Sequence, residues 1–354
     1  MGPHQNCACT YTEVVLSLFA EILFRNYEAM TRNQITDLST CERPHNIAVS
    51  VVIPSIGRDC LQGAIDSVLG QDLTQKVELI VVFDLAKDRV PAAAAKAASM
   101  ANKVLYTGGG KRACHARNLG VSAADGRWVA FLDDDDVWHE TKLGRQLEVA
   151  SKLEARGRRA VVGSRATLHV GSVNPKRVKG VPFKLVSSSD RIEDYLFSYR
   201  RPGSRRASFF TSSIFAEKRL CVEVPWDESL ERHQDWDWLV RVGRTDAVTF
   251  IQDEADLITY NVGTEGSISA KADWEPSLSW AESTLMQSSQ RARSDFLAAQ
   301  TLRYAFQMRA LEGVIRTVGS IAKTRRFPSP SALIIGLAGL IPRKQIQKLM
   351  TVLK

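Results

Sequence analysis

The first part of the chain alternates apolar runs with segments whose apolar residues recur at helical spacing. Val49–Pro54 (VSVVIP) and Val77–Phe83 (VELIVVF) are nearly continuous apolar and β-branched runs, the pattern of strands that are covered on both faces. Between them, Asp59–Gly70 has Leu61 and Ile65 on one helical face and ends at a glycine. These segments predict a strand, a helix and a second buried strand.

The alternation continues for another sixty residues. Pro91–Ala101 predicts a helix, Lys103–Thr107 a short strand and Gly108–Gly110 a turn, followed by a helix over Lys111–Ala124 and a strand over Arg127–Leu132. A βαβαβαβ succession predicts a mostly parallel sheet with helices on both faces. The fold class expected from the pattern is therefore α/β and Rossmann-like.

The second part of the chain has a less regular pattern. Strands are predicted around Ser208–Phe215 and Ala247–Asn261, a helix within Glu231–Val242, and one or two long helices over Trp274–Thr317. The polar, basic segment Gly171–Arg206 predicts a variable loop. The expected organisation is an N-terminal extension outside the ordered fold (1–46), an α/β domain (47–269) and a basic helical C-terminal region (270–354).

Four consecutive aspartates, Asp133 to Asp136, follow the strand that ends at Leu132. In open α/β sheets ligands bind at the carboxyl ends of the strands, and adjacent carboxylates that repel one another favour a hard divalent cation. The competing interpretation is a solvated loop in which Asp136 caps a helix over His139–Leu153. A second acidic cluster with tryptophans, Gln234–Trp238 (QDWDW), favours the metal site.

Charge is distributed unevenly along the chain. Twelve Lys or Arg and two acids lie from Arg291 onward, and because the whole chain carries +8, the first 290 residues carry −2. This balance argues against a nucleic-acid groove in the main domain. The apolar segment Leu333–Ile341 is too short to span a bilayer, and Arg343 and Lys344 follow it. Two interpretations stay open: a segment in an anionic membrane interface, or a helix packed on the main domain.

Six cysteines without any CxxC pair indicate a reducing, cytoplasmic location. If the tail lies on a membrane, the expected location is peripheral, on the inner face of the cell membrane.

Four segments together resemble the ordered motif set of glycosyltransferase family 2. They are VSVVIPSIGR from Val49, VELIVVFD from Val77, GGGKRACHARNLGVSAADGRWVAFLDDDDVW from Gly108, and DESLERHQDWDWLVR from Asp227. The resemblance implies the GT-A fold, a nucleotide-sugar donor, a divalent cation (Mn²⁺ or Mg²⁺) and inversion at the anomeric carbon. It resembles in particular the enzymes of bacterial exopolysaccharide and cell-surface polysaccharide synthesis.

The same resemblance assigns roles to single residues. Asp135 matches the metal ligand of the DxD motif, Asp133 the carboxylate that faces the ribose or the metal, and Asp235 the general base. Asp84 matches the aspartate that accepts the N3 hydrogen of uracil, and Asp237 is expected to be structural or acceptor-binding. The full set expected to bind the donor is Pro54, Ser55, Arg58, Asp84, Arg117, Asp133 and Asp134, with Asp133 and Asp135 as metal ligands.

The function expected from this assignment is transfer of a sugar from a nucleoside diphosphate sugar, with UDP as the expected nucleotide, to a saccharide or lipid-linked saccharide. One alternative is a sugar nucleotidyltransferase, which shares the sheet and the metal, although Ser55 to Cys60 supplies only one glycine for its phosphate loop. The other alternative is a nucleotide-binding module without catalysis.

Overall fold

A parallel sheet of four strands forms the first half of the molecule. The computed structural model describes residues 47–171, 175–198, 207–262 and 272–341. Its first strands are β1 (Val49–Ser55), β2 (Val77–Phe83), β3 (Lys103–Tyr106) and β4 (Trp128–Phe131), in the spatial order β3-β2-β1-β4 and all parallel. The predicted α/β class and parallel sheet are confirmed.

Helices cover both faces of this sheet. α1 (Leu61–Leu69) and α2 (Ala92–Ala98) pack on one face, and α3 (Arg112–Ala123) packs on the other. Alternate residues of one strand enter different cores, since Val51 and Ile53 face α1 whereas Val52 faces α3. All seven residues of β1 are buried, which explains the unbroken apolar run in its sequence.

The sheet continues beyond β4 with strands of mixed direction. β8 (Phe215–Glu217) pairs antiparallel with β4, and β6 (Arg159–Val170) pairs antiparallel with β8 and parallel with β9 (Val248–Val262). The two-residue β5 (Val137–Trp138) and the strand β7 (Lys176–Val181) pair with β9 and β6 at the margins. The antiparallel strand β8 is inserted between β4 and β6. The segment after β4 consequently lies next to the end of β9.

Several predicted elements differ from the structure. The predicted loop 171–206 contains β7 and α5 (Ile192–Phe197); the basic, half-solvated sequence of β7 obscured its strand character. Ser208–Phe215 is not a strand: a 3₁₀ turn occupies Thr211–Ser213, where the Ser213 hydroxyl bonds the Phe210 carbonyl and competes with ladder pairing. The arginines at 200, 201, 205 and 206 lie outside the described residues, as does the extension 1–46.

Two helix starts were predicted too early. α4 spans Lys142–Glu154 instead of beginning at His139, and α7 spans Gln234–Val242 instead of beginning at Glu231. Between them in the chain lies α6 (Lys218–Glu223).

The C-terminal region is a series of helices, and a π-helical turn joins two of them into one helical stretch over residues 290–307, so the one or two long helices predicted over Trp274–Thr317 are interrupted after Gln287 and after Gln307. The helices are α8 (Trp274–Ser283), α9 (Gln290–Phe296), α10 (Arg303–Gln307), α11 (Leu311–Lys323) and α12 (Pro330–Leu337), with a π-helical turn at Leu297–Leu302. The series is interrupted where Ser289 caps α9 by accepting the Ala292 amide and where Arg309 adopts a positive φ. Within the described residues, no helix is long and apolar enough to cross a membrane.

Two helical glycines give a matched test of this packing. A Cβ on Gly120 would overlap the Val52 side chain between α3 and β1, whereas a Cβ on Gly319 in α11 would meet open space. We expect Gly120→Ala to lower the free energy of unfolding by about 1–3 kcal/mol, the usual cost of overpacking. Gly319→Ala should raise it by about 0.5–1 kcal/mol, because alanine favours the helix.

Urea unfolding of both variants beside the wild type measures the two effects. Equal stability of the two variants would contradict the packing of α3 on β1.

Candidate active site

The four aspartates after β4 form two pairs with different surroundings. Asp134 and Asp136 are buried. Ser55 Oγ donates to Asp134 Oδ2 at 2.6 Å. Ser212 Oγ donates to Asp136 Oδ2 at 2.5 Å, and the backbone amide of Asn261 donates to Asp136 Oδ1 at 3.0 Å. These two carboxylates therefore join the segment after β4 to β1, to the 3₁₀ turn and to β9.

Burial raises the pKa of Asp134, and it raises the pKa of Asp136 well above the usual range because the neighbouring Asp133 charge adds to the effect. Asp136 is not a helix cap, because α4 begins only at Lys142. Its bonds to two other segments make it a structural residue of the site.

Asp133 and Asp135 each meet an arginine. Arg117 Nη2 donates to Asp133 Oδ1 at 2.7 Å, and Arg58 Nη1 donates to Asp135 Oδ2 at 2.8 Å. Arg58 also lies 3.5 Å from Asp134 Oδ1, and the charges of Asp134 and Asp135 raise its pKa despite its partial burial. The predicted phosphate-binding arginines are thus present at the acidic run, and in this structure their charges are balanced by its carboxylates.

Trp138, just beyond the run, is buried, and its Nε1 donates to the Ser212 carbonyl at 2.8 Å. It is a core residue beside the site.

Asp84 lies directly after β2 and holds the glycine-rich turn that precedes α3. Its carboxylate accepts from Thr107 Oγ1 at 2.5 Å, from the Lys111 amide at 2.9 Å and from the Arg112 amide at 2.7 Å. All three glycines of the turn, at 108, 109 and 110, have positive φ. A carboxylate offers about four acceptor positions, so these contacts leave one for a ligand.

Two more residues that are predicted to bind the sugar donor lie at the end of β1. Pro54 and Ser55 are buried at the end of β1, and the Gly57 amide donates to Ser55 Oγ at 2.9 Å. Ile56, where the family resemblance leads one to expect an aromatic ring, is exposed.

The second acidic cluster lies in the first turn of α7. Arg117 Nη1 contacts Gln234 Oε1 at 3.4 Å while its Nη2 holds Asp133, so one guanidinium joins α7 to the acidic run. Burial raises the pKa of the neighbouring Asp235, and the amide of Trp236 and the charge of Arg117 act in the opposite direction. The carboxylates of Asp235 and Asp133 therefore lie close enough for their charges to interact.

Asp237 faces away from this environment. Its Oδ2 accepts from Arg241 Nε at 2.6 Å, and its Oδ1 accepts from Trp280 Nε1 of α8 at 3.0 Å. The carboxylate is buried and ties α7 to the C-terminal helices. The expectation that Asp235 and Asp237 lie on different faces is met, and Asp237 has a structural role.

His233 was missed by the sequence analysis. It precedes α7 with φ of 59°, stacks on Trp236 at 4.9 Å between ring centroids, and its Nε2 lies 2.8 Å from Ser277 Oγ. Burial lowers the pKa of His233 to about 3, so the ring is neutral at ordinary pH. The histidine fixes where the helix that carries Asp235 begins.

Ser212 and Asn261 were also missed. Besides its contact with Asp136, the Ser212 hydroxyl accepts from the Asp133 amide at 3.1 Å, and the Asn261 side chain donates to the Asp135 carbonyl. Each is one polar residue in a stretch without a recognisable motif. For Asn261 the sequence did offer one signal of a site residue, because it is a polar residue at the end of an apolar strand.

The carboxylates of the site suit a divalent cation that is bound jointly by the protein and by a ligand. Among the described residues, no group of three or more His, Cys, Asp or Glu side chains is placed to hold a metal by itself. Mg²⁺ and similar ions are usually held by one or two carboxylates together with substrate phosphates and water. Asp133 and Asp135 fit that requirement, because they are two carboxylates and a phosphate ligand would complete the metal site.

Comparisons with known proteins agree with this geometry. Residues 50–208 match the family model described as glycosyl transferase family 2. The amylovoran biosynthesis glycosyltransferase AmsB of Erwinia amylovora is 29% identical over 231 residues, which are 62% of this chain and 71% of AmsB. An Escherichia coli glucosyltransferase, WfgD, named for transfer from UDP-Glc to α-D-GlcNAc-diphosphoundecaprenol, is 33% identical over 105 residues, or 29% of this chain and 41% of WfgD.

A crystal structure of Staphylococcus aureus TarS residues 1–349 with UDP superimposes with a TM-score of 0.53 at 15% identity, covering 83% of this chain and 87% of TarS 1–349. At that identity the superposition speaks for the fold alone. Together with the family match, it confirms the resemblance found in the sequence: residues 50–208 are similar to glycosyl transferase family 2, and the chain has the GT-A fold.

Proposed function

We propose that the chain transfers a sugar, with inversion at the anomeric carbon, from a UDP-sugar to a saccharide or lipid-linked saccharide during the synthesis of a bacterial surface polysaccharide. The observation that carries the proposal is the position of Arg117. Its guanidinium contacts Asp133 of the acidic run and Gln234 beside Asp235, although these segments are about a hundred residues apart. A donor site and a base are thereby adjacent, which a nucleotide-binding module does not require.

The end of β2 and the acidic run form the proposed donor side. Asp84 would accept the N3 hydrogen of uracil with its remaining acceptor position, beside Pro54 and Ser55. Asp133 and Asp135 would hold Mn²⁺ or Mg²⁺, which would supply positive charge to the departing diphosphate. Arg58 and Arg117 would bind diphosphate oxygens with guanidinium groups that now bind carboxylates.

Asp235 would serve as the general base. It would take the proton from the acceptor hydroxyl as that oxygen attacks the anomeric carbon, opposite the departing diphosphate. A carboxylate whose pKa is raised by burial is a stronger base than an ordinary aspartate. The acceptor preference is drawn from WfgD and AmsB, whose names describe a lipid-linked acceptor and a polysaccharide.

The metal assignment is tested by Asp135→Ala. We expect the variant to lose sugar transfer and at least tenfold of its affinity for UDP in the presence of Mn²⁺, because the diphosphate charge is no longer balanced. Calorimetric titration with UDP, with and without Mn²⁺, measures the effect. Asp66→Ala, at an exposed position of α1, is the control. An unchanged metal-dependent affinity in Asp135→Ala would refute the assignment.

The nucleotide assignment is tested by separating the two roles of Asp84. Asp84→Ala should weaken UDP binding by about 1–3 kcal/mol, the cost of one unmet buried hydrogen bond. Thr107→Val leaves the Asp84 carboxylate in place and removes only the Thr107 hydroxyl, which donates to Asp84 and accepts from the Gly109 amide, so it should weaken UDP binding less. If both variants bind UDP equally and prefer another nucleoside diphosphate, the donor is not a UDP-sugar.

The base is tested by two matched amides. Asp235→Asn should retain UDP affinity and lose transfer, whereas Asp237→Asn should retain transfer and lose about 1–3 kcal/mol of stability through its weaker bond to Arg241. Because burial raises the pKa of Asp235, the wild type should lose activity as pH falls through a value above that of an ordinary aspartate.

The same raised pKa makes an ionised Asp235 unfavourable for folding. Stability from this group is present below the pKa of the unfolded chain and is lost as pH rises through the folded pKa, so Asp235→Asn should be at least as stable as the wild type at neutral pH. An active Asp235→Asn together with an inactive Asp237→Asn would show that the base is misassigned by two residues.

A further inference from the structure

The last two helices of the described chain bury their small residues. α11 directs Gly313, Thr317 and Ser320 inward, and a Cβ on Gly313 would lie 2.6 Å from the Trp274 ring of α8. α12 buries Ala332 and Gly336, and a Cβ on Gly336 would overlap the Ala298 carbonyl. The closest contacts of both helices are therefore made by small residues, and Val314, Ile321, Leu333 and Ile335 are half-buried beside them.

Three large apolar residues of α11 face outward, whereas Val314 and Ile321 of the same helix are half-buried against the core. Leu311 is 71% exposed, Ile315 63% and Val318 52%, and their spacing of four and three residues places them on one side of the helix. Phe327, between the two helices, is 76% exposed, and Ile334 and Leu337 of α12 are exposed as well. We call these six residues the outward apolar set.

This arrangement departs from the usual amphipathic helix in water, because large apolar residues lie on the exposed side as well as on the packed side. A surface helix normally turns its large apolar residues to the core, whereas helices next to lipid pack through small residues and direct large apolar ones to the lipid. Exposed apolar groups of this extent mark an interaction surface. The packing of α11 and α12 is therefore expected where an apolar phase covers their outer side.

Basic residues accompany the outward apolar set. Between residues 303 and 341, six residues are Lys or Arg and one, Glu312, is acidic. Lys323, Arg325 and Arg326 lie at the exposed end of α11, directly before Phe327. A face that is both apolar and basic is complementary to the headgroups and upper acyl chains of anionic lipids. Two copies of this face would repel each other, which disfavours pairing with a second chain.

We propose that α11, the Phe327 segment and α12 lie in the interface of a membrane that contains anionic lipids, with the outward apolar set inserted among the acyl chains. The chain would be held on one side of the bilayer, since the described helices are too short to cross it. This proposal does not depend on the donor, the metal or the base. A lipid-linked acceptor would be reached from such a position.

The first test removes apolar area. Full-length protein is floated with phosphatidylcholine vesicles, with and without phosphatidylglycerol, as the wild type and as the double variant Ile315→Gln, Val318→Gln. We expect the wild type to float with the anionic vesicles and the variant to partition roughly a hundredfold more weakly. Leu69→Gln with Val222→Gln, two exposed apolar residues outside α11 and α12, is the matched control and should float as the wild type does.

The second test removes charge. Lys323→Gln with Arg325→Gln should weaken flotation by roughly tenfold, and added salt should weaken wild-type flotation in the same direction. The control is Lys176→Gln with Arg177→Gln, which removes the same charge from β7. Thermal unfolding of all variants, with unchanged UDP affinity, verifies that the catalytic domain is intact.

Four results would overturn the proposal. The wild type could fail to float with anionic vesicles, or the Ile315→Gln, Val318→Gln variant could float equally well. Sedimentation could instead reveal a wild-type dimer that this variant dissociates, in which case the face binds a second copy. If deletion of residues 1–46 were required for flotation, those residues would be the occupant.

Discussion

The site depends on one buried cation. The Arg117 guanidinium lies 4.8 Å from the Trp226 ring centroid, and it is shielded from water while it contacts Asp133 and Gln234. A buried charge is tolerated only where opposite charge and hydrogen bonds compensate it, so the arginine, the acidic run and the start of α7 must form together. Removing one partner of such a pair usually costs about 3–5 kcal/mol. The contact between the acidic run and the start of α7 is thus a condition of folding.

A second constraint is the cost of concentrating carboxylates. Asp134, Asp136 and Asp235 are all held where burial raises their pKa, within reach of the negative charges of Asp133 and Asp135. Hydroxyl and amide donors from Ser55, Ser212 and Asn261 compensate part of that cost, and they come from β1, the 3₁₀ turn and β9. The antiparallel β8 allows this, because it inserts beside β4 and brings the later strands to the same edge. The mixed sheet therefore serves the acidic run directly.

The elements that could be predicted from the sequence are those with a strong local signal. β1 and β2 are unbroken apolar runs, and the positions of Asp84 and Asp133 followed from where those and later strands end. What could not be predicted depends on contacts between distant segments. No sequence pattern around Asn261 predicts that its backbone amide donates to Asp136, and none around His233 predicts that its ring stacks on Trp236. β7 was missed because an edge strand with a solvated face needs few apolar residues.

The C-terminal helices connect these observations. α11 packs through Gly313 on Trp274 of α8, and α8 holds Asp237 of α7 through Trp280, so a short path of rigid contacts runs from the outward apolar set to the turn that carries Asp235. Close packing through small residues leaves little room for these helices to move relative to one another. If α11 rests on a lipid surface, the same contacts fix the height and direction of Asp235 relative to that surface. Under the proposed function, a base that takes a proton from a lipid-linked sugar would benefit from such a fixed distance, because orientation of the two reactants contributes much of the rate. The exposed apolar side of α11 and the structural role of Asp237 would then be two consequences of one requirement.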